Sequence, residues 1–473
     1  MTDDLPSSIA EAGAWLRTGH ASSVDLTRTC LRRAHASQDT LAAFVTITDQ
    51  AALAAAERAD RELAAGVDRG PLHGIPLGIK DIIATADAPT TANSRVLDPA
   101  WGQRDDATVV RKLREAGAVL VGKLGLSEFA IGWPDPDTGF RIPKNPWDLR
   151  RFPGGSSSGT GSAIAGGLIL GGLGTDTGGS IRGPSAWCGI SGIKPTFGRV
   201  SKEGCVPLGY SLDNIGPMAR TAHDCAVMLQ VLAGFDPRDP CSADVPVPDM
   251  LAGLDSAGGA RDLRIAVPRA AFFEVPELDP EIKAAVLQAI DVLRAAGASV
   301  QDVELQYASA ARAAQRVIMF GEALAYHQTD LQTRPELYGK WTRAQLQQGA
   351  VFSAADYVQA QRVRSVVTRE TTRVLDDADV LLMPTSHMLA PELEGFNPDE
   401  RLRHPDFSGI WNLTGQPAMS VCCGFSRSGL PIGLQIVGKA FDEPMVLRVA
   451  DAYQRLTDWH TRRPPVVDEV HVA

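Results

Sequence analysis

Apolar residues recur along this chain with two periods, and the helical period dominates the N-terminal part. Between about residues 8 and 65 they return every three or four positions, which predicts helix. Ser8-x-x-Glu11 forms a capping-box pattern where this helical segment begins. The next stretch, HGIPLGIKDIIA, is a short apolar run with turn residues and predicts a strand followed by a loop.

Helix and strand then alternate. The stretch DATVVRKLREAGAVLVGK predicts a helix that ends near Gly117 and a strand over residues 118–121. The same order returns in IKAAVLQAIDVLRAAGASVQDVEL, where Gly297 ends a helix before a further apolar alternation. Helices that alternate with strands are typical of an α/β fold, in which helices cover both faces of the sheet.

The boundaries between these elements favour one domain. A stretch rich in proline and aspartate, residues 234–250, has the composition of a linker, but VLLMP and GLPIGLQIVG further on predict strands of the same sheet. We therefore predict a single domain over residues 1–473. It has a helical N-terminal segment, a glycine-rich core with most of the candidate chemistry, and a helical insertion with closing strands, at about residues 1–65, 70–220 and 240–460.

Composition narrows the class of protein. The 473 residues are 44% apolar and 22% charged, which is ordinary for a globular protein, and the net charge of −10 disfavours nucleic acid or an anionic membrane as a partner. The longest apolar run, about residues 163–174, is too short to span a bilayer, and the acidic N-terminus is unlike a signal peptide. Seven scattered cysteines without a C-x-x-C pair predict reduced thiols and a cytoplasmic location.

The loop FPGGSSSGTGS (residues 152–162) fits more than one kind of site. It formally contains the G-x-S-x-G of a nucleophile elbow, but that motif needs a strand before the turn, and Pro146 and Pro153 argue against one. The chain has no phosphate-loop motif, Ser191-x-x-Lys194 lacks the K-T-G that would accompany it, and no histidine or cysteine cluster indicates a metal.

A second loop of glycine, serine and threonine, GTDTGGSIRGP (174–184), follows the first after a predicted helix and buried strand. A flexible linker would not be followed directly by apolar elements, so two such loops around one helix and one strand predict a site. From the residue pattern alone, that site is either catalytic or anion-binding.

Together these segments resemble the amidase signature hydrolases. Three separated blocks occur in the family's order, GIPLGIKD (74–81), NPWDLRRFPGGSSSGTGSAIAGG (145–167) and GTDTGGSIRGPSAWCGISGIKPTFGRVS (174–201). The resemblance continues in SLDNIGPMART and, more weakly, over residues 411–438. It covers most of the chain and implies the fold of that family, a single large domain with a mixed central β-sheet between helices.

The resemblance implies a Ser–Ser–Lys triad with a matching residue at each position. Lys80 matches the base, Ser156 matches a bridging serine that follows a cis peptide bond, and Ser180 matches the nucleophile. Ser180 lies 24 residues after Ser156 and 100 after Lys80, as the family pattern leads one to expect. The first loop would then relay a proton, and the nucleophile would lie in the second loop.

The resemblance also implies supporting residues. Asp176 and Arg182 would brace the second loop, and Ser157 would support the relay by hydrogen bonding. Backbone N–H groups of the second loop would stabilise the oxyanion, because glycines let the backbone approach a substrate closely. The residues expected to form this oxyanion hole are Thr177, Gly178, Gly179 and Ser180.

Two positions depart from the family pattern, since Ser158 replaces a glycine and Thr160 replaces a serine. A Cβ at position 158 would crowd a backbone with unusual dihedral angles, so we expect changed loop packing with the chemistry retained.

Substrate contacts are less well specified by the sequence. The segment SEFAIGWPDPDTG matches a substrate-contacting segment of the family, and Phe129, Ile131 and Trp133 are its candidates for an acyl pocket, with ordinary core positions as the alternative. No motif indicates which residues form the far wall of this pocket, that is, the side away from residues 127–139. The candidates are Tyr326, His327, Trp411 and Asn412.

A lysine can act as base only when it is neutral. Its free pKa of about 10.4 leaves little neutral amine near pH 7, whereas burial lowers such a pKa by up to about 3–5 units. The apolar surroundings GIPLGIKDII favour such burial. Asp81 follows Lys80 directly, but successive residues of a strand face opposite sides, so the two side chains need not pair.

These expectations give a leading function and an alternative. The leading one is a cofactor-free, stand-alone amidase that cleaves the C–N bond of a small or medium carboxylic amide through an acyl-enzyme, with anilides, carbamates and esters as further candidates. The alternative is the A subunit of a glutamine-dependent tRNA amidotransferase, which would need partner subunits and an ammonia channel. A non-catalytic binding protein is disfavoured because the whole triad is present. The sequence leaves open whether the protein forms a homodimer.

Overall fold

A mixed sheet runs through the centre of the chain. The computed structural model describes residues 5–102, 105–254, 259–397 and 405–466, and eleven strands within these ranges form one sheet. In chain order they are β1 (Phe44–Ile47), β2 (Pro76–Lys80), β3 (Val119–Leu124), β4 (Gly171–Asp176), β5 (Ser191–Lys194), β6 (Asn214–Ala219), β7 (Arg264–Val267), β8 (Ser299–Asp302), β9 (Val380–Pro384), β10 (Ala418–Phe425) and β11 (Pro431–Gly438).

The strand order places two predicted site residues at one edge of the sheet. Across the sheet the order is β1-β3-β2-β4-β6-β5-β10-β11-β9-β7-β8. β3, β2 and β4 run parallel, as do β9, β7 and β8, and the remaining neighbours pair antiparallel. Leu77 of β2 aligns with Gly171 of the parallel strand β4, and Lys80 and Asp176 are the last residues of these strands. Both residues therefore lie where the strands have their carboxyl ends. Sites in α/β sheets commonly form at such carboxyl ends.

Helices connect the strands and flank the sheet. The α-helices of the described residues are α1 (Ile9–Thr18), α2 (Ser23–Ala36), α3 (Asp49–Ala64), α4 (Thr108–Glu115), α5 (Ser158–Ala165), α6 (Arg182–Cys188), α7 (Ala222–Leu232), α8 (Arg269–Phe272), α9 (Pro280–Ala295), α10 (Ala308–Thr333), α11 (Lys340–Gln347), α12 (Ala354–Asp377), α13 (Gly409–Thr414) and α14 (Glu443–Leu456). Parallel strands need a crossover, and α4 and α5 lie in the crossovers from β2 to β3 and from β3 to β4.

One apolar core joins the two halves of the chain. The same cluster of buried side chains contains Ile79 of β2, Ile265 of β7 and Leu434 of β11, and it includes Met250 at the end of the segment rich in proline and aspartate. That segment therefore does not separate two cores, and the predicted single α/β domain with a mixed sheet between helices is confirmed.

The N-terminal part differs from its prediction. Residues 8–65 were expected to be helical throughout, but Phe44–Ile47 form β1, which pairs antiparallel with β3 at the edge of the sheet. Four residues carry too little periodicity to separate a strand from helix, and pairing with a distant strand decides the outcome. The predicted capping box is half formed, since Ser8 accepts the N–H of Glu11 while the Glu11 carboxylate accepts that of Ser7.

Two further observations concern the whole described chain. No helix among the described residues combines the length and the apolar character that a membrane crossing requires. All seven cysteines are free thiols.

Candidate active site

Three segments meet at the carboxyl edge of β2 and β4. Lys80 is the last residue of β2, and Thr175 and Asp176 are the last two of β4. Ser156 and Ser157 lie directly before α5 and follow a cis peptide bond. Among the described residues no strand leads into this loop, so it lacks the backbone of a nucleophile elbow.

The Lys80 amine is surrounded by hydroxyl groups. Its Nζ donates hydrogen bonds to Ser156 Oγ at 2.7 Å, to Thr175 Oγ1 at 2.7 Å and to Ser157 Oγ at 3.0 Å. The side chain of Lys80 is 0% exposed, and so are those of both serines. Hydroxyl groups carry no charge, so this shell satisfies the hydrogen-bonding needs of the amine without neutralising an ammonium ion.

Burial makes this amine a far weaker base than a lysine in water. It lowers the pKa of Lys80 from 10.5 to about 7, and the charges of Asp176 and Asp213 act in the opposite direction without cancelling the effect. A substantial part of the Lys80 population is therefore neutral near pH 7, the state in which a lysine can accept a proton.

The other contacts of Ser157 fix the direction of its hydrogen bond with Lys80. Ser157 Oγ donates to Thr175 O at 3.2 Å, so its one proton is already engaged. Ser157 must then accept from Lys80. Ser156 differs, because the hydroxyl proton of Ser156 is not committed to a carbonyl oxygen of the described residues.

A fully buried ion pair shapes the second loop. Arg182 Nη2 lies 2.9 Å from Asp176 Oδ1, and Arg182 Nε donates to Oδ2 at 3.0 Å. Asp176 also accepts the backbone N–H of Gly179 at 2.8 Å and of Ile181 at 3.1 Å. Burial by itself would raise the pKa of Asp176, but the Arg182 charge outweighs it and holds this pKa well below its usual value.

Residues from the far end of the chain complete this brace. Arg182 donates to Gln435 Oε1 and to Asn412 Oδ1, both at 2.7 Å, and Asn412 Nδ2 donates to Asp176 O at 2.8 Å. Asn412, a candidate for the far wall, thus lies in the brace instead. The sequence analysis missed Gln435, although a lone polar residue inside the apolar stretch GLPIGLQIVG was a usable signal.

Ser180 opens onto a cavity of about 180 Å³. Its side chain is 8% exposed, in contrast to the fully buried Ser156, and its backbone carbonyl accepts the N–H of Ser157 at 3.2 Å. The two serine loops are therefore joined by a backbone hydrogen bond, and only the second of them places a serine at the cavity.

The predicted oxyanion donors divide into two groups. The N–H of Gly179 is engaged by Asp176, so the prediction needs a correction at this position. The N–H groups of Thr177, Gly178 and Ser180 donate to no described residue, and all three residues line the cavity. Gly179 instead serves the turn: its φ is +116°, and a Cβ there would lie 2.6 Å from Ser408 Cβ.

The predicted acyl-pocket residues do not all reach the cavity. Ile131 and Trp133 line it, and the Trp133 ring stacks on Phe396 with centroids 4.8 Å apart. Phe129 is 1% exposed and packs against the His327 ring at 4.4 Å, so its side chain is part of the core. The helices α10 and α11 also contribute to the cavity lining, through Gln315, Arg316, Met319, Phe320 and Gln345.

Comparison with known proteins identifies the family. The family described as Amidase matches residues 25–447. The chain belongs to the amidase signature family. It is accordingly an enzyme that acts on C–N bonds, and the predicted family and fold are confirmed.

Amidase signature relatives cover almost the whole chain. The glutamyl-tRNA(Gln) amidotransferase A subunit of Chloroflexus aggregans is 43% identical over 98% of this chain and 99% of its own length. The structure of native peptide amidase from Stenotrophomonas maltophilia is 33% identical, with a TM-score of 0.84 over 97% of this chain and 98% of that one. The glutamyl-tRNA(Gln) amidotransferase A subunit from Thermotoga maritima is 32% identical, with a TM-score of 0.77 over 90% of each chain.

The departures from the amidase signature pattern are accommodated in α5. Ser158 is the first residue of this helix and does not have a positive φ, so the expected crowding of an unusual backbone does not arise. Its buried hydroxyl has no hydrogen-bond partner among the described residues. Thr160 donates to Leu173 O at 3.2 Å, and its methyl group packs close to Gly172.

Lys194 of the Ser191-x-x-Lys194 pattern donates to Pro195 O at 2.8 Å and is 0% exposed. Among the described residues, no group of three or more histidine, cysteine, aspartate or glutamate side chains is arranged to hold a metal ion.

Proposed function

We propose that this chain hydrolyses carboxylic amides through an acyl-enzyme, with Ser180 as the nucleophile, Ser156 as the proton relay and Lys80 as the base. The observation that carries the proposal is the buried Lys80 amine, with a pKa of about 7 and a Ser156 oxygen 2.7 Å away. A neutral amine has two N–H bonds and one lone pair. In the neutral state Ser157 accepts one of the N–H bonds and Thr175 accepts the other. The nitrogen lone pair is then available to accept the hydroxyl proton of Ser156.

In the proposed reaction Ser180 Oγ attacks the carbonyl carbon of the amide while its proton passes to Ser156, and the Ser156 proton passes to Lys80. The carbonyl π electrons move to oxygen and give a tetrahedral oxyanion. When the oxyanion collapses, the C–N bond breaks and the proton returns through Ser156 to the leaving nitrogen. Water then attacks the acyl-enzyme by the same route, which releases the carboxylic acid and restores Ser180.

The N–H groups of Thr177, Gly178 and Ser180 are the proposed oxyanion donors. Each belongs to a residue that lines the cavity and has no protein acceptor among the described residues, and backbone N–H groups held by a rigid loop need no reorganisation as charge develops. Asp176 and Arg182 supply that rigidity, since their ion pair is buried and takes up seven further hydrogen bonds.

The amide itself is proposed from the comparisons. Relatives named as amidotransferase A subunits match the chain over nearly its whole length at 43% identity, which favours glutamine as the amide and further amidotransferase subunits as partners. A stand-alone amidase is the second candidate, favoured by the peptide amidase structure at a TM-score of 0.84. Both candidates require the same acyl-enzyme chemistry at Ser180.

A hydrolysis screen tests the shared chemistry. Purified protein should release ammonia, an amine or an alcohol from members of a panel of primary amides, anilides, carbamates and esters, and a serine-reactive phosphonate should label Ser180 in peptide mass spectra. Labelling at Ser157, or equal turnover by Ser180→Ala, would contradict the assignment. Ammonia release from glutamine, alone and with the other amidotransferase subunits present, separates the two candidates.

Trp133 is proposed to set the preference for the acyl group, because its ring lines the cavity and stacks on Phe396. Trp133→Ala should change the ratio of kcat/KM between bulky and small acyl groups by roughly tenfold or more. Phe129→Leu is the matched control, since Phe129 packs in the core and should lower stability without changing that ratio. An equal loss on every substrate would give Trp133 a structural role only.

A further inference from the structure

Most polar side chains of the cavity lining already have partners within the protein. Gln315 Nε2 donates to Thr177 O at 3.1 Å, and Ser408 Oγ donates to Thr385 O at 3.3 Å. The side chains of the lining that form no hydrogen bond or ion pair with any described residue are Ser180, Arg316 and Gln345. Ser180 is the proposed nucleophile, so the other two raise the question of what they bind.

Arg316 places a cation in the cavity wall. It lies on α10, one helical turn after Arg312, whose guanidinium donates to two backbone carbonyls, Asp406 O at 2.8 Å and Ala271 O at 3.0 Å. Burial lowers the pKa of Arg316 and the charge of Asp406 opposes that shift, yet a guanidinium stays protonated in proteins. Arg316 therefore retains its charge without a protein partner for its N–H groups among the described residues.

Asp406 is the acid whose charge acts on Arg316, but the two side chains form no ion pair or hydrogen bond with each other. Oδ1 accepts the N–H of Ser408 at 2.8 Å and Oδ2 accepts that of Gly409 at 3.0 Å, which closes the turn before α13. Asp406 thus offsets part of the charge from a distance and leaves the guanidinium fork open. A nearby acid also disfavours a dianion, so a monoanionic ligand fits best.

Gln345 adds a neutral donor to the same cavity. It lies on α11, is 7% exposed, and its carboxamide has no hydrogen-bond partner among the described residues. Buried polar groups rarely stay unpaired, which indicates that a ligand or water completes it. Ile131, Trp133 and Trp187 supply apolar surface to the same cavity.

We propose that Arg316, assisted by Gln345, binds a carboxylate carried by the acyl part of the substrate, so that the enzyme selects amides of acidic acyl groups. The planar guanidinium matches a carboxylate with two parallel N–H···O bonds, and a carboxamide side chain donates a further one. The proposal rests on the proposed function for the location of the reacting amide and adds the class of substrate. Half-amides of dicarboxylic acids and amino acids with an amide side chain belong to this class.

Binding to an inactive variant tests the proposal without turnover. Glutaramic acid and glutaramide have the same size and differ only in a carboxylate that replaces one carboxamide. Calorimetry on Ser180→Ala protein should show tighter binding of glutaramic acid. Adding Arg316→Met should weaken the binding of glutaramic acid by roughly tenfold to hundredfold, as expected for the loss of a charge-assisted hydrogen bond. The binding of glutaramide should stay unchanged. Arg316→Lys should restore part of the difference.

Two further comparisons separate recognition from structure. Arg312→Met removes an arginine one turn away whose bonds go to backbone carbonyls, so it should affect both ligands equally. Equal binding of both ligands to the Ser180→Ala protein, or an equal loss on Arg316→Met, would overturn the proposal.

Turnover by the enzyme with Ser180 intact shows whether the carboxylate site or the proposed amidase function is wrong. Hydrolysis of glutaramide and glutaramic acid at equal efficiency, unaltered by Arg316→Met, would leave the amidase chemistry standing and remove the carboxylate site. Selective binding of glutaramic acid with no hydrolysis of any amide would do the reverse.

Discussion

Two lysines on neighbouring strands are equally buried and meet opposite surroundings. Lys80 ends β2 and Lys123 lies on β3, and their side chains are 0% and 1% exposed. The parallel register aligns Lys80 with Leu124 and Ile79 with Lys123, so the two lysines face opposite sides of the sheet. On its side, Lys123 Nζ lies 2.9 Å from Asp81 Oδ1 and donates to Thr90 at 2.7 Å.

The difference lies in the partner of each amine. Lys123 has a carboxylate at contact distance, whereas the hydrogen-bond partners of Lys80 within the described chain are hydroxyls alone. Burial lowers the pKa of both lysines, and at Lys123 the Asp81 charge works against the shift. An ion pair makes a buried lysine structural, while uncharged partners leave it free to exchange protons.

The largest expected effect comes from removing Lys80, the proposed proton acceptor. Lys80→Met keeps the length and the apolar stem but cannot accept a proton, so kcat/KM should fall by about 10²–10⁴-fold with the fold retained. Circular dichroism and a thermal melt check the fold. Lys123→Met, on the other side of the sheet, should cost stability rather than specific activity of the folded enzyme. Near wild-type rates in Lys80→Met would show that Lys80 is not the base.

The pH profile should separate the two lysines next. Below its pKa of about 7 the Lys80 amine is protonated and cannot accept from Ser156, so kcat/KM should rise with pH through about 7 and then level off. On the acidic side the slope is about tenfold per pH unit. This acidic limb should persist in Lys123→Met and vanish from any residual activity of Lys80→Met. The same limb in both variants would assign it to another group.

Breaking the ion pair should affect stability. Asp81→Asn leaves Lys123 buried without its carboxylate, and such a loss costs about 3–5 kcal/mol in the free energy of unfolding. Urea unfolding measures it. The double variant Asp81→Asn with Lys123→Met removes both charges and should recover much of the loss, because no buried charge is then left without a partner. Equal destabilisation in the single and double variants would mean that the pair contributes packing only.

Local pattern was sufficient for the parts of this site that come from short segments. The two serine loops, the helix and strand between them and the apolar setting of Lys80 can all be predicted from neighbouring residues. The alternation of side chains along a strand likewise predicts that Asp81 and Lys80 face opposite sides of the sheet. Their roles came from the family resemblance. The fold class followed from periodicity, whereas β1 did not, because four residues next to helices need a partner strand to be distinguished.

What the sequence could not provide depends on distant contacts. Asn412 and Gln435 reach Arg182 across more than 200 residues of chain, and α10 and α11 contribute to the same cavity lining as Trp133. No period or motif encodes such a pairing. The engagement of the Gly179 N–H by Asp176 was hidden for a related reason, since a glycine-rich loop offers several N–H groups and only its bent backbone decides which of them turns inward.

The smallest expected effect concerns one hydroxyl on each side of the sheet. Thr175 Oγ1 accepts from Lys80 at 2.7 Å, and an acceptor stabilises the ammonium form more than the neutral amine. Thr175→Val keeps the shape and removes the acceptor, so the pKa of Lys80 should fall further and the acidic limb of kcat/KM should move to lower pH. A hydrogen bond to a charged group is worth about 1.5–3 kcal/mol, which sets an upper limit of about one to two pH units on the displacement.

Thr90→Val is the matched control, because Thr90 accepts from Lys123 at the same distance of 2.7 Å and should leave the limb in place. A displacement in both variants, or in neither, would mean that the hydroxyl shell does not tune Lys80.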